Sequence, residues 1–298
     1  MDIESIIIGF IFCLTTSIGI VGNVIVLAVL VWSAYQDKLL SSEVILSNLA
    51  LSNLIFLLSG GIPTALFKFR IKYLNTDADC KADIYMIRIF RTMIINLTCL
   101  LSCFQYAVIT SPSSRMFCLK AKMQKYFVLI MIFLYIISIS SSVYGALYPV
   151  ANANTSTLMY AFDLGYCFVI YPNGFIFQMT GFMNFAQDLI FLTLMVVTSI
   201  CILVILYRHG KQMKSIRHSK ENQETSAEHR ASKATVTLVL LYEILYGIEC
   251  AVWFYQLSAS TNHLILNDVR HFLSLAFPSF FPEIILFFNQ KLRKRLHC

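Results

Sequence analysis

Among the charged side chains inside the long apolar stretches of this sequence, four are of types that suit the binding of an organic ligand. Arg88 and Arg91 are three residues apart, so they share one face of a helix. Asp188 and Glu249 lie in two later apolar stretches. Ionisable groups are costly in an apolar environment and usually face a bundle interior or a cavity. These four side chains therefore predict a polar site enclosed by helices.

Aromatic and basic side chains extend this candidate site. One apolar stretch carries a stripe of residues at helical spacing, formed by Tyr242, Tyr246, Glu249, Cys250 and Trp253. Arg270 and His271 begin the last apolar stretch. We expect eight side chains to contact the ligand: Arg88, Arg91, Asp188, Tyr246, Glu249, Trp253, Arg270 and His271.

This set of side chains suits a small amphipathic or anionic organic molecule, because aromatic rings bind its apolar part and arginines bind its charge. An alternative is that Arg88 or Arg91 pairs with Asp188 or Glu249 only to hold helices together. Counting along the helices places the ionisable groups in one half of the bundle, with Arg88 and Arg91 about 12 and 16 Å below the outer face. This clustering favours a ligand pocket.

Known catalytic and metal-binding patterns are missing from the chain. The acids and His271 form no such arrangement, and the sequence has no glycine-rich phosphate loop, CxxC pair or HExxH motif. We therefore expect no enzyme activity, no cofactor and no metal ion.

The composition indicates a membrane protein. The chain has 298 residues, of which 58% are apolar and 13% are charged, and its mean hydropathy is +0.71. A soluble domain carries about 25% charged residues, so this chain has too few to cover a surface exposed to water. The net charge is +7, but no polar domain is present to hold a basic face for nucleic acid. The expected surroundings are a lipid bilayer.

Seven apolar stretches are long enough to span a bilayer as helices. They cover approximately residues 6–32, 44–67, 84–109, 126–150, 177–207, 234–257 and 264–288. The sequence shows no internal repeat, and we expect no separate soluble domain. Residues 1–298 are therefore predicted to form one all-α membrane domain, a bundle of seven transmembrane helices.

Basic residues in the connectors predict the orientation of this bundle. Sixteen of the 23 Lys and Arg residues lie in the first, third and fifth connectors or after the last stretch, whereas four lie in the connectors of the opposite side. Cytoplasmic loops carry the excess of basic residues, so we expect the N-terminus outside and the C-terminus in the cytoplasm. The first stretch lacks the basic flank of a signal peptide and is predicted to remain as the first helix.

Two of the nine cysteines, Cys80 and Cys167, lie on the predicted outer side. Only that compartment oxidises thiols, so a disulfide between them is expected, the alternative being two free thiols. The sequon Asn154-Thr155-Ser156 lies in the same outer connector, and Asn154 is a predicted glycosylation site. A second sequon begins at Asn96 inside the third stretch, where we expect no glycan.

Two amide side chains, Asn23 and Asn53, lie inside the first and second stretches. Both are about 15–18 Å from the cytoplasmic side by helical rise. Such amides commonly form hydrogen bonds between helices, so we expect them to join the first two helices.

Seven helices, an outer N-terminus, Gly22-Asn23 in the first helix and the pair Cys80 and Cys167 resemble a G-protein-coupled receptor. The usual activation motifs differ. Phe104-Gln105-Tyr106 stands in place of Asp-Arg-Tyr, and Phe281-Pro282-Glu283 stands in place of the Asn-Pro motif.

These departures resemble the vomeronasal type-1 receptors and their relatives, the fish-type class A-related olfactory receptors. The resemblance covers essentially the whole chain, and the end of the fifth helix is its most specific part. The matching stretches include Thr98-Cys99-Leu100-Leu101-Ser102, Leu206-Tyr207-Arg208-His209, Ala227-Glu228-His229-Arg230-Ala231 and Phe277-Pro278.

The resemblance implies a multi-pass chemosensory receptor of the plasma membrane. Its implied partners are a small organic odorant or pheromone and a heterotrimeric G protein, with the inhibitory type expected. We expect the G protein to contact the cytoplasmic helix ends at Gln105, Tyr106, Arg208, His209, Lys211 and Arg230.

Two other classes of function are alternatives. A bitter-taste receptor also lacks Asp-Arg-Tyr, but usually lacks the arrangement of Cys80 and Cys167. A membrane transporter commonly shows paired repeats with broken helices, which seven unlike spans fit poorly. A light-driven pump needs a lysine in mid-membrane for its Schiff base, and the last stretch has none before Lys291.

Overall fold

The computed structural model describes residues 3–36, 40–71, 76–110, 114–151, 160–215, 223–259 and 264–288. Within these ranges the chain forms nine α-helices, one π-helical segment and three short strands. The helices are α1 (Ile3–Gln36), α2 (Ser41–Phe56), α3 (Ile62–Lys68), α4 (Asp77–Ile109), α5 (Ser114–Lys125), α6 (Phe127–Leu147), α7 (Gly174–Ser215), α8 (Gln223–Ala259) and α9 (Leu264–Phe288).

Seven helical segments of the described chain are long and apolar enough to cross a membrane, which confirms the predicted bundle. They are α1, α2 continued by α3, α4, α6, α7, α8 and α9. The last helix has the predicted bounds, but α4 begins earlier than predicted, at Asp77, and α7 continues beyond its predicted end to Ser215. The first or last turns of these helices are polar, and a search for apolar stretches does not include polar residues. The predicted bounds are therefore shorter than the helices.

A capping box begins α4. The Thr76 hydroxyl accepts a hydrogen bond from the Asp79 backbone N–H, and the Asp79 carboxylate accepts one from the Thr76 backbone N–H, each at 3.2 Å. These reciprocal bonds satisfy donors that a helix N-terminus otherwise leaves unpaired. The helix therefore includes Cys80 in its first turn.

The centre of the bundle is occupied by α4. Its most apolar 18-residue window is 72% buried, against 22% in α6 and α7. The helix packs against α2, α6, α7 and α8, and Met93, Leu97 and Leu101 are fully buried. Side chains of α4 can therefore line a site between these four helices.

The second span changes its helical geometry in the middle. A π-helical segment, Leu57–Gly61, separates α2 from α3, and such segments are frequent at functional sites. A Cβ at Gly61 would lie 2.7 Å from the Thr16 side chain of α1, so glycine allows these two helices to approach closely. Gly60 and Thr64, on the neighbouring turn, are buried.

Asn23 joins α1 to α9 and not to α2. Its Nδ2 donates to the carbonyl oxygens of Gly19 at 2.7 Å and Pro278 at 2.9 Å. Pro282 has no N–H, so the Pro278 carbonyl four residues earlier lacks its helical donor, and Asn23 supplies one. The described residues contain no hydrogen-bond partner for the Asn53 amide. The prediction that Asn23 and Asn53 join the first two helices is therefore wrong.

A small sheet adds to the helical fold at the end of the bundle where α4 begins. It consists of β1 (Pro149–Val150), β2 (Ala161–Asp163) and β3 (Phe168–Ile170), antiparallel in the order β1-β3-β2. The predicted disulfide is present and joins Cys80 in the first turn of α4 to Cys167, which directly precedes β3. The sheet is therefore held against the central helix.

Candidate ligand-binding site

A cavity of about 290 Å³ lies between the helices beneath the sheet. Its walls come from the second span and from α4, α6, α7, α8 and α9. Seven of the eight residues expected to contact a ligand line this one cavity, namely Arg88, Arg91, Asp188, Tyr246, Glu249, Arg270 and His271. The side chain of Trp253 lies outside the described residues. The polar residues thus converge as expected, and their contact with a ligand stays a prediction.

An ion pair on the cavity wall joins α4 to α8. Arg91 Nη1 lies 2.7 Å from Glu249 Oε1 and 3.4 Å from Ser274 Oγ of α9. The guanidinium carbon also lies 5.5 Å from the centre of the Tyr246 ring, within range of a cation–π interaction. The Glu249 side chain is only 11% exposed, so the pairing offsets the cost of burying its charge. Arg91 therefore makes the interhelical pair that the sequence offered as an alternative.

Tyr246 extends this connection to α7. Its hydroxyl donates a 2.6 Å hydrogen bond to Asp188 Oδ2, and its ring stacks on Tyr242 with a centroid distance of 5.9 Å. A hydrogen bond to a carboxylate is stronger than one between neutral groups. One polar network consequently ties α4, α7 and α8 together at the cavity.

Arg88 has different surroundings, although it lies on the same face of α4 as Arg91. Its Nη2 donates to the Tyr171 hydroxyl at 3.5 Å. Among the residues that the structure describes, no carboxylate lies within ion-pair distance of Arg88. The sequence gives no reason to distinguish the two arginines. In the structure, however, Arg91 is paired with a carboxylate, whereas Arg88 contacts a neutral hydroxyl.

The sheet and its turns form the roof of the cavity, which the sequence did not single out. Leu164, Tyr166, Val169 and Tyr171 line it. Burial raises the pKa of the Tyr166 phenol, and the Asp83 carboxylate raises it further. The hydroxyl is therefore neutral at physiological pH. The predicted disulfide between Cys80 and Cys167 could have indicated this roof, because it attaches the connector to the end of the bundle.

A second ion pair, also missed, joins the second span to α9. Lys68 Nζ lies 2.7 Å from Asp268 Oδ2, and the two side chains are 10% and 16% exposed. The predicted second stretch ends at residue 67, which left Lys68 in the outer connector that follows, but the residue is the last of α3. Hydropathy could not place it in the bundle, because a lysine at the end of an apolar stretch is typical of a connector.

The residues expected at the G protein are described in part. Gln105 is buried and Tyr106 half-buried near the end of α4, whereas Arg208 is exposed on α7. Their contact with a G protein stays a prediction. Outside the described part of the chain lie Asn154 and the side chains of His209, Lys211 and Arg230.

Among the described residues, seven apolar helices form a bundle with α4 at its centre, and a disulfide-tethered sheet lies over a polar cavity. This is the architecture of a seven-transmembrane G-protein-coupled receptor. The model of the vomeronasal organ pheromone receptor family matches residues 6–298, and the chain belongs to this family.

Two relatives illustrate the match. The chain is 29% identical over 300 residues to "Olfactory receptor class A-like protein 1" of Danio rerio, with 100% of this chain and 94% of that protein covered. It is 25% identical over 272 residues to "Vomeronasal type-1 receptor 4" of Homo sapiens, with 91% and 90% covered. The chain is thus a chemosensory G-protein-coupled receptor of the plasma membrane, and receptors of this class bind small chemical ligands and G proteins. The bitter-taste and transporter alternatives are not supported.

Proposed function

We propose that the cavity binds a small amphipathic organic molecule, an odorant or pheromone, that reaches it from outside. The observation that supports this most strongly is the convergence of seven polar and aromatic residues from α4, α7, α8 and α9 on one cavity. The apolar side chains of Ile84, Ile87 and Leu275 also line it and suit the hydrocarbon part of a ligand. We assign the site to recognition and not to catalysis, because the family is one of receptors.

The polar network on the cavity wall offers a route from ligand binding to helix movement. A ligand that takes over the hydrogen bonds of Arg91, Glu249 or Tyr246 loosens the ties between α4, α7 and α8. Binding shifts the bundle only if the ligand has higher affinity for one of two arrangements. In this proposal the favoured arrangement opens the cytoplasmic ends of α4, α7 and α8.

The proposed partner at those ends is a heterotrimeric G protein of inhibitory type. The basic connectors support a cytoplasmic location for this face and an outer location for the N-terminus. The residues proposed to contact the G protein are Gln105, Tyr106, Arg208, His209, Lys211 and Arg230.

A cell-based assay tests this proposal. The receptor is expressed with an inhibitory G protein, and cyclic AMP is measured while a panel of small acids, amines and steroids is applied. We expect at least one compound to lower cyclic AMP. Arg91→Gln, Glu249→Gln and Tyr246→Phe should each weaken the potency of that compound about tenfold. In this proposal each substitution removes one charge-assisted hydrogen bond that the residue forms with the bound ligand.

Arg70→Gln is the matched control, since Arg70 is exposed in the turn that follows α3 and does not line the cavity. Surface expression is measured for every variant by antibody labelling. If all three cavity variants respond to every active compound as the wild type does, the cavity assignment is wrong.

A further inference from the structure

Arg88 differs from the paired cations of the bundle in how little of its hydrogen-bonding capacity is used. A guanidinium carries five N–H donors. Within the described residues, the Tyr171 hydroxyl at 3.5 Å is the hydrogen-bond partner of Arg88. By contrast, Arg91 and Lys68 each lie 2.7 Å from a carboxylate oxygen. A cation with free donors on a cavity wall is suited to bind an anion.

The Arg88 side chain fits against α6 because residue 145 is a glycine. A Cβ at Gly145 would contact the Arg88 Cδ and would lie 2.8 Å from the Arg88 Nε. Gly145 is buried, so the Arg88 side chain lies directly against the backbone of α6. Any larger residue at position 145 must displace the Arg88 side chain.

Tyr171 contacts the guanidinium through its hydroxyl, at the upper limit of hydrogen-bond distance. This tyrosine follows β3 and is 5% exposed. Its ring centroid lies 5.2 Å from that of Tyr148 and 5.5 Å from that of Phe177. Aromatic packing of this kind restricts the ring, so the hydroxyl that accepts from Arg88 has a defined position.

We propose that Gly145 and Tyr171 are positioning residues, which hold the Arg88 guanidinium at the cavity wall to bind an oxyanion of the ligand. The oxyanion is a carboxylate, sulfate or sulfonate on a small apolar body. A guanidinium held in one orientation can donate two parallel N–H bonds to such a group, which a displaced side chain cannot do. The inference rests on the proposed function, because it specifies the group that this cavity recognises.

A matched pair of probes tests the inference on the full-length receptor in lipid nanodiscs. 2-Naphthalenesulfonate and 2-naphthalenesulfonamide share an apolar body and differ in charge. Equilibrium dialysis measures the affinity of each, and empty nanodiscs correct for partition into lipid. We expect the wild type to bind the sulfonate about tenfold more tightly, as one well-oriented charge-assisted interaction provides. Arg88→Gln and Gly145→Ala should abolish this preference, because each weakens the binding of the charged sulfonate much more than that of the neutral sulfonamide.

Gly247→Ala is the matched control, because a Cβ at Gly247 meets no atom within 4 Å. It makes the same change in helix propensity on α8 that Gly145→Ala makes on α6. Tyr171→Phe removes only the hydroxyl and should lower the preference about threefold, so it tests the inference even if Gly145→Ala does not fold.

The outcomes separate the inference from the proposed function. A wild-type preference for the sulfonate in both Gly145→Ala and Tyr171→Phe overturns the inference and leaves the cavity assignment standing. Failure of the wild-type receptor to prefer the sulfonate also overturns the inference, whereas the cavity assignment is decided separately by the three cavity variants in the cyclic AMP assay.

Discussion

The two arginines of α4 show how side chains of one type take different roles through their neighbours. Arg91 lies opposite Glu249, and the pair ties α4 to α8. Arg88, three residues earlier, lies against Gly145 and the Tyr171 hydroxyl. None of these neighbours is close to the arginines in sequence. The roles therefore follow from packing and not from the residue type.

The buried pair of Lys68 and Asp268 leads to a prediction about stability. Lys68→Met leaves the Asp268 carboxylate without its partner in a site where the side chain is 16% exposed. A charged group left unpaired in this way costs about 2 kcal/mol of unfolding free energy. We expect a lower midpoint of thermal unfolding for the purified variant.

Two further variants check the cause of this loss. The double variant Lys68→Met with Asp268→Leu should recover most of the stability, because apolar residues can replace a buried ion pair. Lys81→Met is the control, since no ion pair of Lys81 is found among the described residues. A wild-type midpoint for Lys68→Met would show that the pair does not stabilise the receptor.

At the scale of elements, the contact between α1 and α9 depends on the prolines of α9. Pro278 and Pro282 both lie inside the helix. Asn23 donates to the Pro278 carbonyl at 2.9 Å, where the missing N–H of Pro282 leaves an acceptor free. An unpaired carbonyl in a membrane interior is costly, and a side chain of a neighbouring helix removes that cost.

Asn23→Ala should therefore lower the free energy of unfolding by about 1–2 kcal/mol, because it leaves this carbonyl without a donor. Replacing Pro282 with alanine restores a backbone N–H four residues after Pro278. In the Pro282→Ala background, Asn23→Ala should accordingly cost much less. The cycle is measured from thermal unfolding of the four proteins. Equal costs in the two backgrounds would contradict the role assigned to Asn23.

At the scale of the whole molecule, the predicted orientation places the sheet and the mouth of the cavity outside the cell. The argument rests on the distribution of basic residues between the two sets of connectors. Asn154 lies between α6 and α7, in a connector that is predicted to be outside, and provides an independent marker, because glycans are added only on the outer side.

Asn154→Gln is expected to abolish the glycan of the receptor. Wild-type protein expressed in cultured cells should migrate faster in gel electrophoresis after glycosidase treatment, and the variant should not change. Asn96→Gln is the control, because Asn96 is 1% exposed and its amide donates to Ser138 Oγ at 3.0 Å. This control should keep the shift seen in the wild type. A wild-type protein unaffected by glycosidase would contradict the predicted orientation.

The sequence alone determined the number of spans, the disulfide between Cys80 and Cys167, and the set of polar residues that converge. The free energy of transferring about 20 apolar residues into lipid depends only on the residues of that stretch. Hydropathy therefore identifies a membrane span without information about the other helices. Charged residues inside such stretches are costly, so their positions also predict that they face the bundle interior.

Only the tertiary structure decided which of these groups pair. It assigned Arg91 to Glu249, Asp188 to Tyr246 and Lys68 to Asp268, and it connected Asn23 to α9. These partners depend on the rotation of each helix about its axis and on the close approach that small residues such as Gly145 permit. Packing between helices sets both, and hydropathy carries no information about either.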